Sequence, residues 1–127
     1  MKIINKLLMF QFHFVNLILI IFYLYPGSIL GYFLYGNISI QPKITEDFII
    51  SSNHLYLFTV ISVLGFFAYR NKRKIKFLII YLFSLSIILE LLHIVIPNRG
   101  FEWSDLFGNI LGIIFVIIIY KIKYKNA

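Results

Sequence analysis

The residues best suited to chemistry lie together in the last third of the chain. Glu90 and His93 stand inside an apolar run that ends at Pro97. A second apolar run follows Asp105 and carries Asn109. An ionisable side chain at membrane depth costs about 2.5–3.5 kcal/mol on insertion scales, so such a residue is expected to have a partner and a role. Proton transfer and headgroup binding are the chemistries that these residue types suit.

Helical spacing places these polar residues on two facing surfaces. Glu90 and His93 are three residues apart, and Asp105 and Asn109 are four apart, so each pair shares one face of a helix. Glu90 lies seven residues before Pro97, and Gly112 lies seven residues after Asp105. At ~1.5 Å per residue, both therefore lie at about the same depth below the turn of the hairpin. We therefore expect Gly112 to pack against Glu90 and to let the two backbones of an antiparallel hairpin approach closely.

Two further residues are expected to join this cluster. His54 lies near the start of an earlier apolar run, and Arg99 lies in the short turn of the hairpin. A buried carboxylate beside a histidine or arginine suits an acid–base pair or a clamp for an anionic headgroup. The candidates for catalysis are Glu90, His93 and Asp105, and those for ligand binding are Arg99, Asn109 and His54.

Structural roles remain open for each of these residues. Glu90 could pair with Arg99 or His54 only to lock the helices together, and Asp105 could be an N-cap. Asn109 could serve packing alone. The histidines and acids have no recognised ligand spacing, so we expect neither a metal ion nor a cofactor.

Composition indicates a membrane protein. The chain has 127 residues, of which 61% are hydrophobic and 13% charged, and its mean hydropathy is +0.90. Ordinary domains carry about 25% charged residues, so a water-soluble core is not expected. The net charge is +7, and the basic residues lie in blocks between the apolar runs, as topology signals do in membrane proteins. No nucleic-acid-binding motif accompanies them, so a nucleic-acid partner is not expected. With no cysteine, the chain has no disulfide, thiolate ligand or cysteine nucleophile.

The apolar runs predict an all-α integral membrane bundle that forms a single domain, 1–127. Leu55 to Tyr69 is short for a bilayer, so the second helix is extended back to Phe48. A cleaved signal peptide is the alternative for the first run, but that run is long and no Ala-x-Ala-like site follows it. Residues 29–36 are too short to span and predict an interfacial or re-entrant segment. The four predicted transmembrane helices are 7–25, 48–69, 77–96 and 105–120.

The cations predict the orientation. Residues 70–76 contain five cations, and further lysines lie near both termini. By the positive-inside rule both termini and the 70–76 loop are cytoplasmic, which gives an N-in/C-in topology. Four of the five acids lie on the other side, together with the turn that carries Arg99.

The hairpin resembles VanZ-like membrane proteins, a family named for a teicoplanin-resistance protein. The pattern runs from Glu90 through His93, Pro97, Arg99 and Asp105 to Asn109-x-x-Gly112. In the family, glutamine is usual at the position of His93 and glycine at that of Asn98. An upstream family histidine, in a helix that opens near Asp-Lys, aligns loosely with His54, although Ser52 and Asn53 precede the histidine here.

The resemblance implies a small multi-pass protein of the bacterial plasma membrane, linked to reduced susceptibility to lipid-tailed glycopeptides. We expect its outer-leaflet polar cluster to bind or act on a cell-envelope lipid or a lipid-linked headgroup. Its partners would then be membrane lipids and not nucleic acid. The alternative is a non-catalytic membrane scaffold whose polar residues only fix helix packing. The sequence leaves open whether any reaction is catalysed, and also the oligomeric state.

Overall fold

Five α-helices build the chain, and the computed structural model describes residues 2–125. No strand occurs within residues 2–125, which confirms the all-α prediction. The helices are α1 (Lys2–Leu24), α2 (Ile29–Tyr35), α3 (Ser52–Ala68), α4 (Lys72–Leu92) and α5 (Trp103–Lys125).

Three of these helices are long and apolar enough to cross a membrane. The segments are Ile3–Leu24, Lys72–Leu92 and Trp103–Tyr124. Helix α1 has 23 residues and α3 has 17, so their lengths are about 35 Å and about 26 Å at 1.5 Å per residue. A bilayer core is about 30 Å thick, so among the four longer helices α1, α3, α4 and α5, only α3 is shorter than the core.

Helix α3 begins at Ser52 rather than at the predicted Phe48. The carboxylate of Asp47 accepts a hydrogen bond from the backbone N–H of Ser52 at 2.8 Å. That bond satisfies one of the free N–H groups at the helix start, as an N-cap does. Phe48 is 93% exposed and contributes nothing to the core. The length needed to cross a bilayer had placed residues 48–51 in the helix, whereas the N-cap is Ser51, whose backbone is extended.

Helix α4 is displaced towards the N-terminus relative to the prediction of 77–96. Its N-cap is Asn71, whose side chain accepts the backbone N–H of Arg73 at 2.9 Å, so the basic residues form its first turns. At the other end the chain tightens into i→i+3 hydrogen bonds, including His93 N to Glu90 O at 3.2 Å. Pro97 follows, and Asn98 takes φ 58°, a left-handed conformation that asparagine tolerates.

The segment predicted to be interfacial or re-entrant forms the short helix α2. The hydroxyl oxygen of Ser28 accepts the backbone N–H of Gly31 at 2.9 Å and starts the helix. Gly36 ends it with φ 66°, a conformation that glycine adopts without a steric penalty. The exposed face of α2 is aromatic, with Phe33 77% exposed.

One core joins the four longer helices. Many of their other large apolar side chains are exposed, as expected for surfaces that face lipid. The buried apolar side chains are Phe12, Leu19, Tyr23, Phe58, Ile61, Phe66, Ile75, Leu78, Leu82, Leu89, Ile113 and Val116.

The glycines of α5 pack against α3, so the predicted contact between Gly112 and Glu90 is wrong. A Cβ at Gly112 would lie 2.7 Å from the carbonyl oxygen of Leu55 and 2.9 Å from the backbone nitrogen of Thr59. One turn earlier, a Cβ at Gly108 would lie 2.7 Å from the carbonyl oxygen of Ser51. This Gly-x-x-x-Gly pattern lets two helix backbones approach closely. The sequence contains the pattern but does not specify the partner helix.

The bundle has two chemically different ends. At the polar end, α1 and α4 finish and α3 and α5 begin, so side chains from all four helices meet there. The basic end is the opposite one, where α3 finishes and α4 begins. Among residues 3–124, its cations are Lys6, Arg70, Lys72, Arg73, Lys74, Lys76, Lys121 and Lys123.

Candidate functional site

All six predicted site residues lie at the polar end. His54 is in the first turn of α3, Glu90 lies in the last turn of α4, and His93 is its C-cap. Asp105 lies in the first turn of α5, as its third residue, so it is not the predicted N-cap. Its carboxylate still lies near the positive end of the α5 dipole. The fold thus brings together residues separated by up to 55 positions.

Tyr23, which the sequence analysis did not single out, is the centre of the cluster. Its hydroxyl donates to Oδ1 of Asn109 at 2.7 Å and lies 2.7 Å from Nδ1 of His54. Its backbone carbonyl lies 3.0 Å from Nε2 of His93, and the two rings stack with centroids 5.3 Å apart. One residue of α1 therefore orients both histidines.

The hydrogen bonds of Tyr23 define which ring nitrogens face the acids. With the amide oxygen of Asn109 towards Tyr23, the hydroxyl proton goes to that oxygen, so His54 Nδ1–H donates to the hydroxyl. The Nε2 atom of His54 then faces Oδ2 of Asp105 at 3.4 Å. Likewise His93 donates from Nε2 to the Tyr23 carbonyl, and its Nδ1 faces Oε1 of Glu90 at 3.4 Å. Each histidine is thus held through one nitrogen and presents the other to a carboxylate.

Glu90 is fully buried, with 0% of its surface exposed. Its Oε1 accepts the backbone N–H of Glu102 at 3.1 Å, a bond that joins α4 to the start of α5. Its Oε2 has no hydrogen-bond partner among the described residues. The basic side chain nearest to the Glu90 carboxylate is His93, at 3.4 Å, and not Arg99 or His54, the two partners that the sequence suggested for a purely structural role. A buried carboxylate with a free oxygen is costly to keep without a ligand or a proton.

Arg99 lies above the cluster and binds the end of α1. Its Nη2 donates to the carbonyl of Phe22 at 2.9 Å, its Nε to that of Tyr25 at 3.2 Å, and its Nη1 to Gln41 at 3.1 Å. A cation at a helix C-terminus is favourable. Partial burial lowers the pKa of Arg99, but a guanidinium stays charged in proteins. No acid within residues 2–125 forms an ion pair with it, and three of its five N–H groups are used.

Asn109 is completely buried, and only the oxygen of its side-chain amide is hydrogen-bonded within the described residues. Oδ1 receives the hydroxyl of Tyr23 and lies 3.2 Å from Nδ1 of His54. Its Nδ2 has no partner among the described residues. The prediction that Asn109 belongs to the cluster agrees with this position, and its main contact is with α1 and α3 rather than α4.

Two adjoining cavities open beside the cluster. One, of about 250 Å³, is lined by polar residues that include His54, Asp105 and Arg99. The other, of about 390 Å³, is mostly apolar and is lined by residues such as Leu57 and Val60. Six side chains border both cavities: Gln41, Lys43, Asn53, His54, His93 and Arg99. A polar compartment beside an apolar one suits a ligand with a polar head and an apolar tail.

Long apolar helices around a buried polar cluster define this chain as an all-α membrane protein. Its sequence matches the VanZ/LLP1 family over residues 10–124, nearly the whole chain, and the protein belongs to that family. No curated protein and no solved structure matches the chain significantly. The family assignment confirms the resemblance carried by the hairpin of α4 and α5.

Proposed function

We propose that the protein binds an amphiphilic cell-envelope lipid, or a lipid-linked precursor, with its anionic headgroup in the polar cavity. The observation that carries this proposal is the pair of adjoining cavities with shared side chains. Arg99 borders both cavities and has N–H groups that the chain does not use, so it can donate to a phosphate. The apolar cavity would take the start of the lipid tail.

The proposed topology has four spans, with both termini in the cytoplasm of a bacterium and the polar end facing outwards. The short helix α3 would cross with its polar N-terminal residues near the outer headgroups, and α2 would lie at that interface. In support, eight cations of residues 3–124 lie at the basic end, whereas the acids Glu46, Asp47, Glu102 and Asp105 lie towards the polar end.

Cysteine labelling tests this topology, since the chain contains no cysteine of its own. Gly100→Cys is suitable at the polar end because a Cβ there meets no atom within 4 Å. Arg70→Cys is its counterpart at the basic end. A membrane-impermeant maleimide applied to intact cells should label position 100 and not position 70. The reverse pattern would contradict the proposed orientation.

Lipid binding is tested with purified protein in nanodiscs and two anionic probes, phosphatidylglycerol and a polyprenyl diphosphate. We expect Arg99→Gln to weaken binding about tenfold, the loss of one charge-assisted contact at about 1.4 kcal/mol. Arg70→Gln removes a cation at the other end and serves as the matched control. Val60→Trp, which adds bulk in the apolar cavity, should weaken binding as well. Wild-type affinity in both Arg99→Gln and Val60→Trp would refute the proposal.

The proposed link to glycopeptide resistance requires a cellular assay. Expression of the wild-type protein in a teicoplanin-sensitive bacterium should lower susceptibility to teicoplanin. Glu90→Gln and Arg99→Gln should abolish this effect while the protein remains in the membrane at normal levels. Full protection by both variants would assign the cluster a purely structural role.

A non-catalytic scaffold is the second candidate, and specific contacts favour it. Glu90 binds the backbone of Glu102, and Arg99 binds two backbone carbonyls at the end of α1, so both residues connect helices. A scaffold predicts that Glu90→Gln and Arg99→Gln disappear from the membrane through misfolding. Membrane abundance measured beside susceptibility therefore separates the two functions.

A further inference from the structure

Three ionisable side chains from three different helices converge at the polar end. One ligand atom each from His54, Glu90 and Asp105 lies within 4.8 Å of the others. His54 and Glu90 are buried, and the side chain of Asp105 is 19% exposed. Ligand atoms about 2.1 Å from a common zinc ion lie at most about 4.2 Å apart, so closure needs side-chain shifts of roughly 1 Å.

Electrostatics favour a cation at this point. Two carboxylates share a buried space, and the guanidinium of Arg99 binds backbone carbonyls instead of either acid. Glu90, 0% exposed, keeps Oε2 without a partner among the described residues. Buried negative charge is unfavourable unless a cation, a proton or donors compensate it. A divalent ion would neutralise both carboxylates at once.

The surrounding hydrogen bonds match those of a prearranged metal site. A histidine that ligates a metal typically uses its other ring nitrogen as a donor, which fixes its orientation. His54 donates from Nδ1 to Tyr23 and presents Nε2 to Asp105. Glu90 is positioned by the backbone N–H of Glu102 and by His93, which is itself held by the Tyr23 carbonyl. These contacts come from outside the acid cluster and orient its ligand atoms.

We propose that His54, Glu90 and Asp105 form a site for one divalent transition-metal ion, zinc or manganese. An imidazole with two carboxylates suits these ions. Three protein ligands leave coordination positions open, and His54 and Asp105 line the polar cavity of about 250 Å³. An oxygen of water or of an anionic headgroup can occupy such a position. This site replaces our sequence-based expectation of no metal, because its ligands are brought together by three helices rather than by local spacing.

The test is metal binding by the full chain in detergent or nanodiscs, after chelator treatment and dialysis. Titration with zinc chloride or manganese chloride, followed by elemental analysis, should give one ion per chain. Asp105→Asn and His54→Gln should each weaken binding at least tenfold. His13→Gln is the matched control, because His13 lies towards the basic end in a hydrogen bond with Tyr69. The control should bind as the wild type does.

Spectroscopy of the bound ion supplies a second readout. Manganese bound to the wild-type chain should lose the sharp six-line resonance of the hydrated ion, and Asp105→Asn should restore it. A melting temperature of metal-free Asp105→Asn close to that of the wild type shows that the variant folds. Should Asp105→Asn not fold, the more conservative Asp105→Glu, which keeps the charge and moves the ligand atom, takes its place.

Two results would overturn the metal site. The first is absence of stoichiometric zinc and manganese binding by the wild type, and the second is undiminished binding by both ligand variants. The metal site does not depend on lipid binding. Lipid affinity measured in the presence of a chelator tests lipid binding without the metal. Metal binding by Arg99→Gln tests the metal site without the proposed headgroup contact. Failure of one proposal therefore leaves the other standing.

Discussion

The two ends of the bundle use the same kinds of polar side chain with different results. At the polar end, Tyr23, His54 and Asn109 form one buried network that joins three helices. Away from the polar end, a tyrosine also bonds a histidine or an asparagine, but the His13–Tyr69 and Asn16–Tyr81 pairs are separate and exposed.

This difference shows what distinguishes a candidate site from ordinary polar packing. An isolated polar pair between two membrane helices contributes about 0.6 kcal/mol on average in double-mutant cycles. Within a buried network, loss of one group leaves its neighbours unsatisfied in a medium that cannot replace the bond. Residue type alone therefore indicates little, whereas convergence from several helices with burial is informative.

The largest expected effect comes from the glycines that set the helix spacing at each end. At Gly112 the added methyl of Gly112→Ala would meet backbone atoms of α3 at 2.7 and 2.9 Å. At Gly65 it would meet side-chain atoms of Leu78 and Phe12 at 2.9–3.0 Å, and these can move. Thermal unfolding in detergent should show Gly112→Ala destabilised by about 1–3 kcal/mol.

Two glycine variants serve as comparisons for Gly112→Ala. Gly65→Ala should lose less stability, because the added methyl meets side chains that can move rather than backbone atoms. The gain of about 1 kcal/mol in helix propensity is the same at both positions. Gly100→Ala, where a Cβ meets nothing within 4 Å, should be nearly neutral. Equal losses at positions 112 and 65 would mean that the close contact between α3 and α5 is not rigid.

The second effect compares the loss of stability at two hydrogen-bonded tyrosines, Tyr23 in the buried network and Tyr81 in an isolated pair. Tyr23→Phe leaves Asn109 and His54 without their shared partner in a buried space. We expect a loss of about 1–3 kcal/mol of unfolding free energy, the cost of unsatisfied buried polar groups. Tyr81→Phe, which removes only the exposed bond to Asn16, should cost less than about 0.6 kcal/mol. Chemical unfolding in mixed detergent measures both, and equal costs would contradict the distinction between network and pair.

The third effect concerns the turn that carries Arg99. Asn98 has φ 58°, where a branched side chain is strained. Asn98→Val should therefore destabilise the protein by about 1–2 kcal/mol. Asn98→Gly should be neutral within about 0.5 kcal/mol, because glycine adopts this φ without a steric penalty. A penalty for glycine as large as that for valine would indicate that the asparagine side chain, not its backbone conformation, matters here.

The smallest effect is a pH dependence at the start of α3. Hydrogen bonds from Lys43 and from the backbone of Ser52 lower the pKa of Asp47 below its ordinary value of 3.8. Because the folded-state pKa is the lower one, the stabilisation is complete well above pH 3.8 and is lost as the pH falls through the folded-state value. Asp47→Asn should therefore melt slightly below the wild type at pH 6, and the difference should shrink as the pH falls below 3.8. An unchanged difference at pH 3 would contradict a contribution from the charge.

Helical spacing in the sequence was sufficient to assemble much of the candidate site. Glu90, His93, Asp105 and Asn109 share their expected faces, and His54 joins them as expected. Local hydrogen bonds mark the two helix starts that were predicted wrongly: Asp47 accepts the N–H of Ser52 at the start of α3, and Asn71 is the N-cap of α4. The ends of an apolar run therefore do not define the ends of a helix.

The partners across helices could not be predicted. Tyr23 stands in the apolar stretch 17–25 and looks like an interfacial aromatic residue, so nothing local marks it as the centre of a network. Gly112 requires a close neighbour, but the identity of that neighbour depends on how α3 is inserted between other helices. The packing of the whole bundle determines which helices meet at these residues, and no periodic pattern in the sequence indicates it.

The shortness of α3 connects the polar end to the physical state of the bilayer. In the proposed four-span topology, α3 at about 26 Å beside neighbours of about 35 Å would create a hydrophobic mismatch on one side of the bundle, which local thinning of the lipid would relieve. The proposed binding of a lipid in the adjoining cavities would then depend on acyl-chain length. Thicker membranes would bury the mouth of the site deeper, and thinner ones would raise it towards water.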